Sequence, residues 1–182
     1  EKYRERKDLE YSLDEWLSQF KFILGGSYLM CKYVLPEMIK AKNGVIVNIA
    51  SVSSKVIGDE PLSYHVSKAG LIQFTKYLSN KYGKFNIRAD CISPGFIVKK
   101  EHLEKFNSEN NKNYRETAFL YHPLRKIGLA EDVARTALFL SSDDSSFITG
   151  QDIVVDGGLL TNDPWAIANK VRLFFEEGKE DE

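Results

Sequence analysis

Cysteine, proline and methionine are scarce in this 182-residue sequence, which contains 2 Cys, 5 Pro and 2 Met. Two cysteines cannot build the dense disulfide framework of a small secreted domain. Cys31 and Cys91 both lie in apolar segments, without the spacing of metal ligands. We therefore interpret them as buried, reduced thiols of a cytoplasmic protein. A run of about 18 apolar residues, which a membrane helix requires, is also missing, and we expect no membrane partner.

An excess of charge of one sign is missing as well. The chain has 25 Lys and Arg against 26 Asp and Glu, which gives a formal net charge of −1. A general nucleic-acid binder needs a basic excess, so we expect no nucleic-acid partner. The three histidines, His65, His102 and His122, have no acidic or cysteine partner at ligand spacing, and we expect no metal site. The 43% hydrophobic content excludes a disordered chain.

The chain alternates between helical and strand-like segments. Ser12 and Glu15 form a capping box that starts a helix, whose apolar period continues to about Lys42, bends near Pro36 and ends at Asn43–Gly44. The patterning then predicts strand 45–50, helix 62–82, strand 87–92, a polar irregular segment 98–125, helix 131–141, strand 152–156 and a last helix that starts at Asp163–Pro164.

This alternation predicts an α/β fold, with a doubly wound parallel sheet and helices on both of its faces. We expect residues 1–182 to form a single domain. Within it we interpret 98–125 as a substrate-loop region, because long polar connections often serve as lids or binding loops. The charged run Lys99–Lys105 is interpreted as the solvated face of that lid. Residues 163–182 are interpreted as a C-terminal helix followed by an acidic tail.

One group of side chains carries candidate chemistry. Tyr64 and Lys68 lie four residues apart in the predicted helix, so both project from one face. Ser51 follows a predicted strand, at the end where open α/β sheets place their ligands. A phenol with an unperturbed pKa near 10 is a poor acid or base at pH 7, and a neighbouring ammonium lowers that pKa. Taken alone, the Tyr-x-x-x-Lys spacing also fits two exposed helix residues.

The order of several motifs resembles the short-chain dehydrogenase/reductase family, over about residues 12–160. Ser51 stands thirteen residues before Tyr64-His-Val-Ser-Lys68-Ala-Gly70. Ser93-Pro94-Gly95-Phe96-Ile97 resembles the family's segment beside the nicotinamide ring. Glu131-Asp132-Val133-Ala134, Ile148-Thr149-Gly150-Gln151 and Val155-Asp156-Gly157-Gly158 resemble its C-terminal half. The resemblance implies a Rossmann-like fold and an oxidoreductase that uses NAD or NADP, without choosing between them.

The resemblance also assigns roles to residues. Tyr64 would be the general acid and base, Lys68 would lower the pKa of Tyr64 and hold the nicotinamide ribose, and Ser51 would orient the substrate oxygen. Pro94, Gly95 and the backbone of Ile97 would line the nicotinamide. The cofactor site is therefore expected at Tyr64, Lys68, Pro94, Gly95 and Ile97. The substrate would be a small molecule whose hydroxyl and carbonyl forms are interconverted.

The sequence departs from the family pattern in several places. No glycine-rich phosphate loop is present, since Gly25 and Gly26 are the only glycines before residue 44. The expectation is that the sequence begins after the N-terminal strands that carry this loop, and that residues 1–182 alone bind a dinucleotide poorly. Ile23 stands where the family has a helix Asn that relays protons, and Lys99 where a Thr touches the carboxamide. Asp90 replaces a strand Asn, either as a satisfied carboxylate or with a local rearrangement.

Two functions remain open on these residues. The first is an oxidoreductase of this family, and the stretch from Tyr64 to Gly95 is most similar to members that act on sugars of surface-polysaccharide pathways. The alternative is a non-catalytic interaction protein or a cofactor-deficient member, which the departures at Ile23 and Lys99 would suit. We also expect a homodimer or homotetramer, because helices 13–42 and 62–82 carry surplus apolar residues, namely Tyr28, Met30, Tyr33, Phe74 and Tyr77. Trp165 and Phe174 of the last helix could add a second contact.

Overall fold

The computed structural model describes residues 10–177. The chain divides into two compact units. The first unit comprises Glu1–Pro94 and Arg135–Val154, and the second comprises Gly95–Ala134 and Val155–Glu182. The single domain over residues 1–182 therefore stays a prediction, and the two units are described separately. Within residues 10–177, no helix combines the length and the apolar character that crossing a membrane would need.

The first unit opens with a long helical segment made of α1 (Leu13–Phe20), a π-helical turn (Lys21–Gly25) and α2 (Gly26–Ala41). The predicted capping box is confirmed, because the Ser12 side chain accepts from the Glu15 backbone while the Glu15 carboxylate accepts from Ser12. The helix ends one residue before the predicted stop. Lys42 itself adopts the left-handed conformation, with φ of 50°, and its N–H bonds back to the last turn.

A three-stranded sheet with the order β1-β2-β3 forms the centre of the fold. β1 (Gly44–Ile49) pairs in parallel with β2 (Ile87–Pro94), from Gly44 opposite Ile87 to Ile49 opposite Ile92. α3 (Leu62–Tyr82) connects these two strands and packs on both. This parallel crossover confirms the predicted α/β class. β2 runs past its predicted end, because Ser93 and Pro94 keep extended backbone.

The core of the first unit lies between these strands and helices. Its buried members come from α2, both central strands and α3, and the lengthening of β2 adds Ser93 to the fully buried residues. The two predicted buried thiols, Cys31 and Cys91, are 4% and 0% exposed and carry no disulfide. Phe74 is partly buried against this core, so the expectation that it contributes surplus surface is wrong. The core cluster comprises Cys31, Leu35, Ile46, Leu78, Ile87 and Ala89.

The segment 98–125 is helical, and the prediction of an irregular segment is therefore wrong. After a 3₁₀ turn it contains α4 (Leu103–Asn107), a second 3₁₀ turn and α5 (Lys112–Tyr121). The polar composition of the segment hides what stabilises these helices, which is a small aromatic cluster. Phe106 is only 6% exposed, and its ring centroid lies 6.2 Å from those of Phe96, Tyr114 and Phe119. These ring contacts anchor short helices that periodicity does not reveal.

The remaining elements match their predictions closely. α6 (Ala130–Ser141) precedes β3 (Asp152–Val155), and α7 (Pro164–Glu177) starts with Pro at its first position, as expected. Asp163 supports that start, since its carboxylate accepts from the Ala166 N–H at 2.8 Å. The acidic tail lies outside the described residues.

Candidate functional site

Ser51 lies just past the end of β1, at the carboxyl edge of the sheet. Its backbone is extended, and its side chain caps the 3₁₀ turn Val52–Ser54. Ser51 Oγ accepts from the Ser53 N–H at 3.1 Å and lies 3.1 Å from Ser53 Oγ. These bonds give the half-buried hydroxyl of Ser51 a fixed direction, which a residue that orients a substrate oxygen needs.

Lys68 connects helix α3 to this end of β1. Its Nζ donates to the Ile49 carbonyl oxygen at 2.7 Å, two residues before Ser51. The same Nζ lies 5.5 Å from the ring centroid of Tyr64, one helical turn earlier. The structure thus brings the predicted residues Ser51, Tyr64 and Lys68 to one end of the first unit, as their spacing indicated. Their catalytic roles stay a prediction.

Burial changes the acid–base properties of two groups at this point. Loss of hydration lowers the pKa of the Lys68 ammonium, and the nearby Cys91 opposes that change. Burial raises the pKa of the Cys91 thiol to about 11, with Asp152 acting in the same direction. The thiol is therefore neutral at physiological pH, and Lys68 is the nearby group whose proton is loosened by its surroundings.

A histidine holds the loop that carries Ser51, and sequence analysis missed it. His65 is 6% exposed, and its Nδ1 lies 2.6 Å from the Ser53 carbonyl oxygen. Its Nε2 accepts from the Gly58 N–H at 3.4 Å, so the neutral ring donates through Nδ1. The Glu60 carboxylate lies 3.5 Å from Ser53 Oγ and 4.0 Å from the ring. The sequence signal for this role is the position of His65 next to Tyr64 in the motif, and the spacing of metal ligands does not reveal it.

The predicted nicotinamide segment spans the boundary between the two units. Pro94 ends β2 in the first unit, and Gly95 and Ile97 lie in the second. Ile97 forms a parallel bridge with Gly128, and the Val98 N–H donates to the Gly128 carbonyl at 3.0 Å. A Cβ at Gly95 would lie 2.6 Å from Asp156 Cβ. Packing alone therefore requires glycine at position 95, and the cofactor contacts of Pro94, Gly95 and Ile97 stay a prediction.

The departures from the family pattern have distinct structural outcomes. Ile23 lies in the π-helical turn. Asp90 is fully buried in β2, where one carboxylate oxygen accepts from the Gln151 N–H at 3.0 Å and the other lies 3.7 Å from Arg88 Nη1. The interpretation as a satisfied strand carboxylate is therefore correct for one oxygen only, because Oδ2 has no hydrogen-bond partner among residues 10–177. Lys99 is exposed and lines a cavity. The interpretation of Lys99–Lys105 as the solvated face of a lid does not include this cavity.

No three His, Cys, Asp or Glu side chains in residues 10–177 are grouped in a way that could hold a metal ion. The hydrogen-bonding groups at the end of β1 are hydroxyls, an ammonium and backbone carbonyls. Such donors and acceptors suit an organic hydroxyl or carbonyl and the ribose of a nucleotide.

Comparisons with known proteins agree with this geometry. The family model described as "Enoyl-(Acyl carrier protein) reductase" matches residues 2–160. A 3-oxoacyl-(acyl-carrier-protein) reductase of Chlamydia trachomatis is 41% identical over 151 residues, which cover 83% of this chain and 59% of the relative. A 7alpha-hydroxysteroid dehydrogenase of Paraclostridium sordellii is 36% identical over 85% of this chain and 58% of its own length.

The fold has matching solved structures. A 3-oxoacyl-(acyl-carrier protein) reductase from Brucella melitensis with bound NAD superposes with a TM-score of 0.71 at 32% identity, covering 83% of this chain and 54% of that one. The chain thus spans little more than half the length of the relatives it matches. Because the family model covers residues 2–160 and the relatives named above are 41% and 36% identical, the chain belongs to the short-chain dehydrogenase/reductase family.

Proposed function

We propose that this chain carries the catalytic part of an NAD- or NADP-dependent oxidoreductase that interconverts a hydroxyl and a carbonyl on a small substrate. The observation that carries the proposal is the position of the Lys68 ammonium, 2.7 Å from the Ile49 carbonyl and 5.5 Å from the Tyr64 ring centroid. These two contacts support the proposal because they put one ammonium between the Tyr64 ring and the strand end that leads to Ser51. The same chemistry is named for the reductase and dehydrogenase relatives.

Each residue has a defined task in this proposal. Ser51 donates its hydroxyl proton to the substrate oxygen in a hydrogen bond, held in direction by the Ser53 backbone. In the reductive direction, Tyr64 gives its phenolic proton to that oxygen as the carbonyl becomes a hydroxyl. In the oxidative direction it takes the proton back. Lys68 holds Tyr64 and the end of β1 together, and its positive charge stabilises the phenol oxygen when it carries negative charge.

The residues present fit the nicotinamide end of a dinucleotide. Lys68 and Tyr64 offer an ammonium and a hydroxyl at the carboxyl edge of the sheet, where open α/β sheets bind nucleotides. We propose that Tyr64, Lys68, Pro94, Gly95 and Ile97 hold this end of NAD or NADP, which when bound supplies or accepts the hydride. The finer sequence-based hypothesis, a sugar of a surface-polysaccharide pathway as substrate, stays a prediction.

Replacement of Tyr64 tests the proposal in the full-length protein. Tyr64→Phe removes only the hydroxyl, so turnover should fall about 10²–10⁴-fold while the thermal unfolding midpoint stays unchanged. Tyr82→Phe removes the same atom from a partly buried tyrosine at the end of the same helix and should leave turnover intact. Steady-state kinetics that give equal kcat for Tyr64→Phe and the wild type would refute the acid–base role and favour a non-catalytic member.

We further propose that the protein self-associates through α2 and α3. Tyr28, Met30 and Tyr33 of α2 are 54%, 67% and 72% exposed, and Tyr77 of α3 is 58% exposed. Aromatic and methionine side chains in such numbers are typical of interface cores, and a self-complementary patch suits a two-fold axis. In α7, Trp165 is 77% exposed and could extend a dimer to a tetramer. Light scattering at micromolar concentration should give a dimer or tetramer mass, and Tyr33→Glu should lower it.

A further inference from the structure

Two adjoining cavities of the second unit have linings that the proposed chemistry does not account for. The first, here called the cationic pocket, has a volume of about 320 Å³ and is lined by residues of the segment 96–114. Phe96, Phe106 and Tyr114 supply aromatic walls, and Ile97 and Val98 add aliphatic ones. This lining suits an apolar or aromatic body rather than a neutral sugar, each of whose hydroxyls needs a hydrogen-bond partner.

The side chains that carry a full charge at this pocket are the lysines, and no carboxylate of the described residues lines it. Lys99, His102 and Lys105 line it, whereas the acidic neighbours Glu101 and Glu104 do not. Among residues 10–177, no carboxylate forms an ion pair with Lys99 or Lys105, although Lys112 and Arg115 nearby have such partners. Two unneutralised ammonium groups above aromatic walls attract an anion and leave its apolar part in the cavity.

A second cavity of about 230 Å³ adjoins the first, because Phe96 and Tyr114 line both. His122 lies in its wall and is only 2% exposed. The His122 Nδ1 lies 2.6 Å from the Ala118 carbonyl oxygen and donates to it. The other ring nitrogen, Nε2, is buried and has no hydrogen-bond partner in the described part of the chain. A buried polar atom without a partner indicates a place for a polar group of a ligand.

We propose that the two cavities form one binding site for a small organic anion with an apolar body, in which Lys99 and Lys105 determine specificity. The acid group would contact the two ammonium groups, and the body would pass Phe96 and Tyr114 toward His122. This inference rests on the proposed function only in taking the bound anion to be the substrate. The two ammonium groups of Lys99 and Lys105 would then select the substrate's charge.

Three probes with one carbon skeleton test the proposal on the full-length protein. The probes are 4-phenylbutyrate, 4-phenylbutan-1-ol and 4-phenylbutylamine, and calorimetry or ligand-observed NMR measures their dissociation constants. We expect the anion to bind about tenfold more tightly than the alcohol, and the amine to bind most weakly. The double variant Lys99→Gln/Lys105→Gln should remove this preference, since each exposed charge pair contributes up to about fivefold. Lys100→Gln, with the same charge change outside the pocket lining, should keep it.

Three results would overturn the proposal: equal binding of the anion and the alcohol, equal losses in Lys100→Gln and in the double variant, or no binding of the anion at millimolar concentration. Glutamine replaces exposed lysines here, so loss of folding does not confuse the result, and a thermal melt verifies it. Tyr64→Phe separates this inference from the proposed function. If that variant binds 4-phenylbutyrate normally and turns over substrate like the wild type, the acid–base role fails while the anion site stands.

Discussion

The candidate sites of the two units differ in how their polar side chains are held. In the first unit, the polar groups near the end of β1 are held by named partners, such as Lys68 by the Ile49 carbonyl and His65 by the Ser53 carbonyl. In the second, Lys99 and Lys105 stand exposed over apolar cavities, and the buried Nε2 of His122 lacks a partner among the described residues. Fixed groups suit a chemical step that needs exact placement, whereas unsatisfied groups suit the recognition of a ligand. If both proposals hold, chemistry and selectivity reside in separate parts of the chain.

Among the polar groups near the end of β1, loss of the Lys68 ammonium should reduce catalytic activity the most. Lys68→Met keeps the length of the side chain but removes the bond to the Ile49 carbonyl and the charge beside Tyr64. We expect kcat/KM to fall about 10²-fold or more, with a weaker affinity for the nicotinamide cofactor. Lys76→Met, an exposed lysine two turns later in α3, is the matched control and should behave as the wild type. Kinetics and cofactor fluorescence titration measure both effects, and equal losses in the two variants would show that Lys68 has no special role.

Removal of the His65 ring should loosen the Ser51 loop. His65→Ala deletes two hydrogen bonds to that loop, and we expect it to lower the free energy of unfolding by about 1–3 kcal/mol. We expect kcat to fall several-fold while KM changes less, because Ser51 loses its fixed direction. Val66→Ala, at a 42% exposed neighbour, should change neither quantity. Denaturant unfolding and steady-state kinetics test this, and unchanged kcat in a destabilised His65→Ala would leave His65 a purely structural role.

Replacement of Asp90 should have the smallest effect, which is a pH-dependent change in the free energy of unfolding. Burial raises the pKa of Asp90, more than the Gln151 N–H and Arg88 lower it. The folded protein therefore takes up this proton at a higher pH than the unfolded chain. The stabilising contribution is complete below the unfolded pKa of about 3.8 and is lost as pH rises through the higher folded pKa.

Asp90→Asn removes the titrating carboxyl group, so stability is no longer lost as pH rises. The amide oxygen of Asn can still accept from the Gln151 N–H. Arg88 retains the Leu140 and Ser142 carbonyls, at 2.8 and 3.0 Å. We expect the variant to be more stable than the wild type at pH 7 by about 1 kcal/mol. The difference should shrink toward pH 4. Denaturant melts over this pH range check the sign, and a difference that grows as pH falls would contradict the assignment.

The sequence predicted the first unit better than the second, for physical reasons. β1 and α3 follow directly from a β-branched apolar run and from a helical period that closes at Gly83, since each pattern reports burial along one element. The short helices α4 and α5 depend on rings of Phe96, Phe106 and Phe119 that meet only after folding. The polar residues around these rings hide the two short helices from an analysis of apolar periodicity.

The candidate site shows the same limit. The spacing of Tyr64 and Lys68 predicts a shared helix face, and the family motif adds Ser51. The bonds from Lys68 to Ile49 and from His65 to Ser53 join positions 19 and 12 residues apart, which no periodicity relates. The unpaired Nε2 of His122 is likewise a property of its surroundings, and the sequence gives no sign of which buried histidine lacks a partner.

The first unit is built from two separate stretches of the chain, which the ribosome synthesises at different times. Strand β2 is completed by groups about 60 residues further along the chain, among them Thr149, whose hydroxyl accepts from the Ala89 N–H. A ribosome adding 5–20 residues per second needs about 3–12 s to reach them. Throughout that delay the β3-facing edge of β2 is open, and open strand edges are the feature through which chains aggregate. Slow translation across residues 95–134 would lengthen this exposure, and we expect the yield of soluble protein to depend on the speed of that stretch.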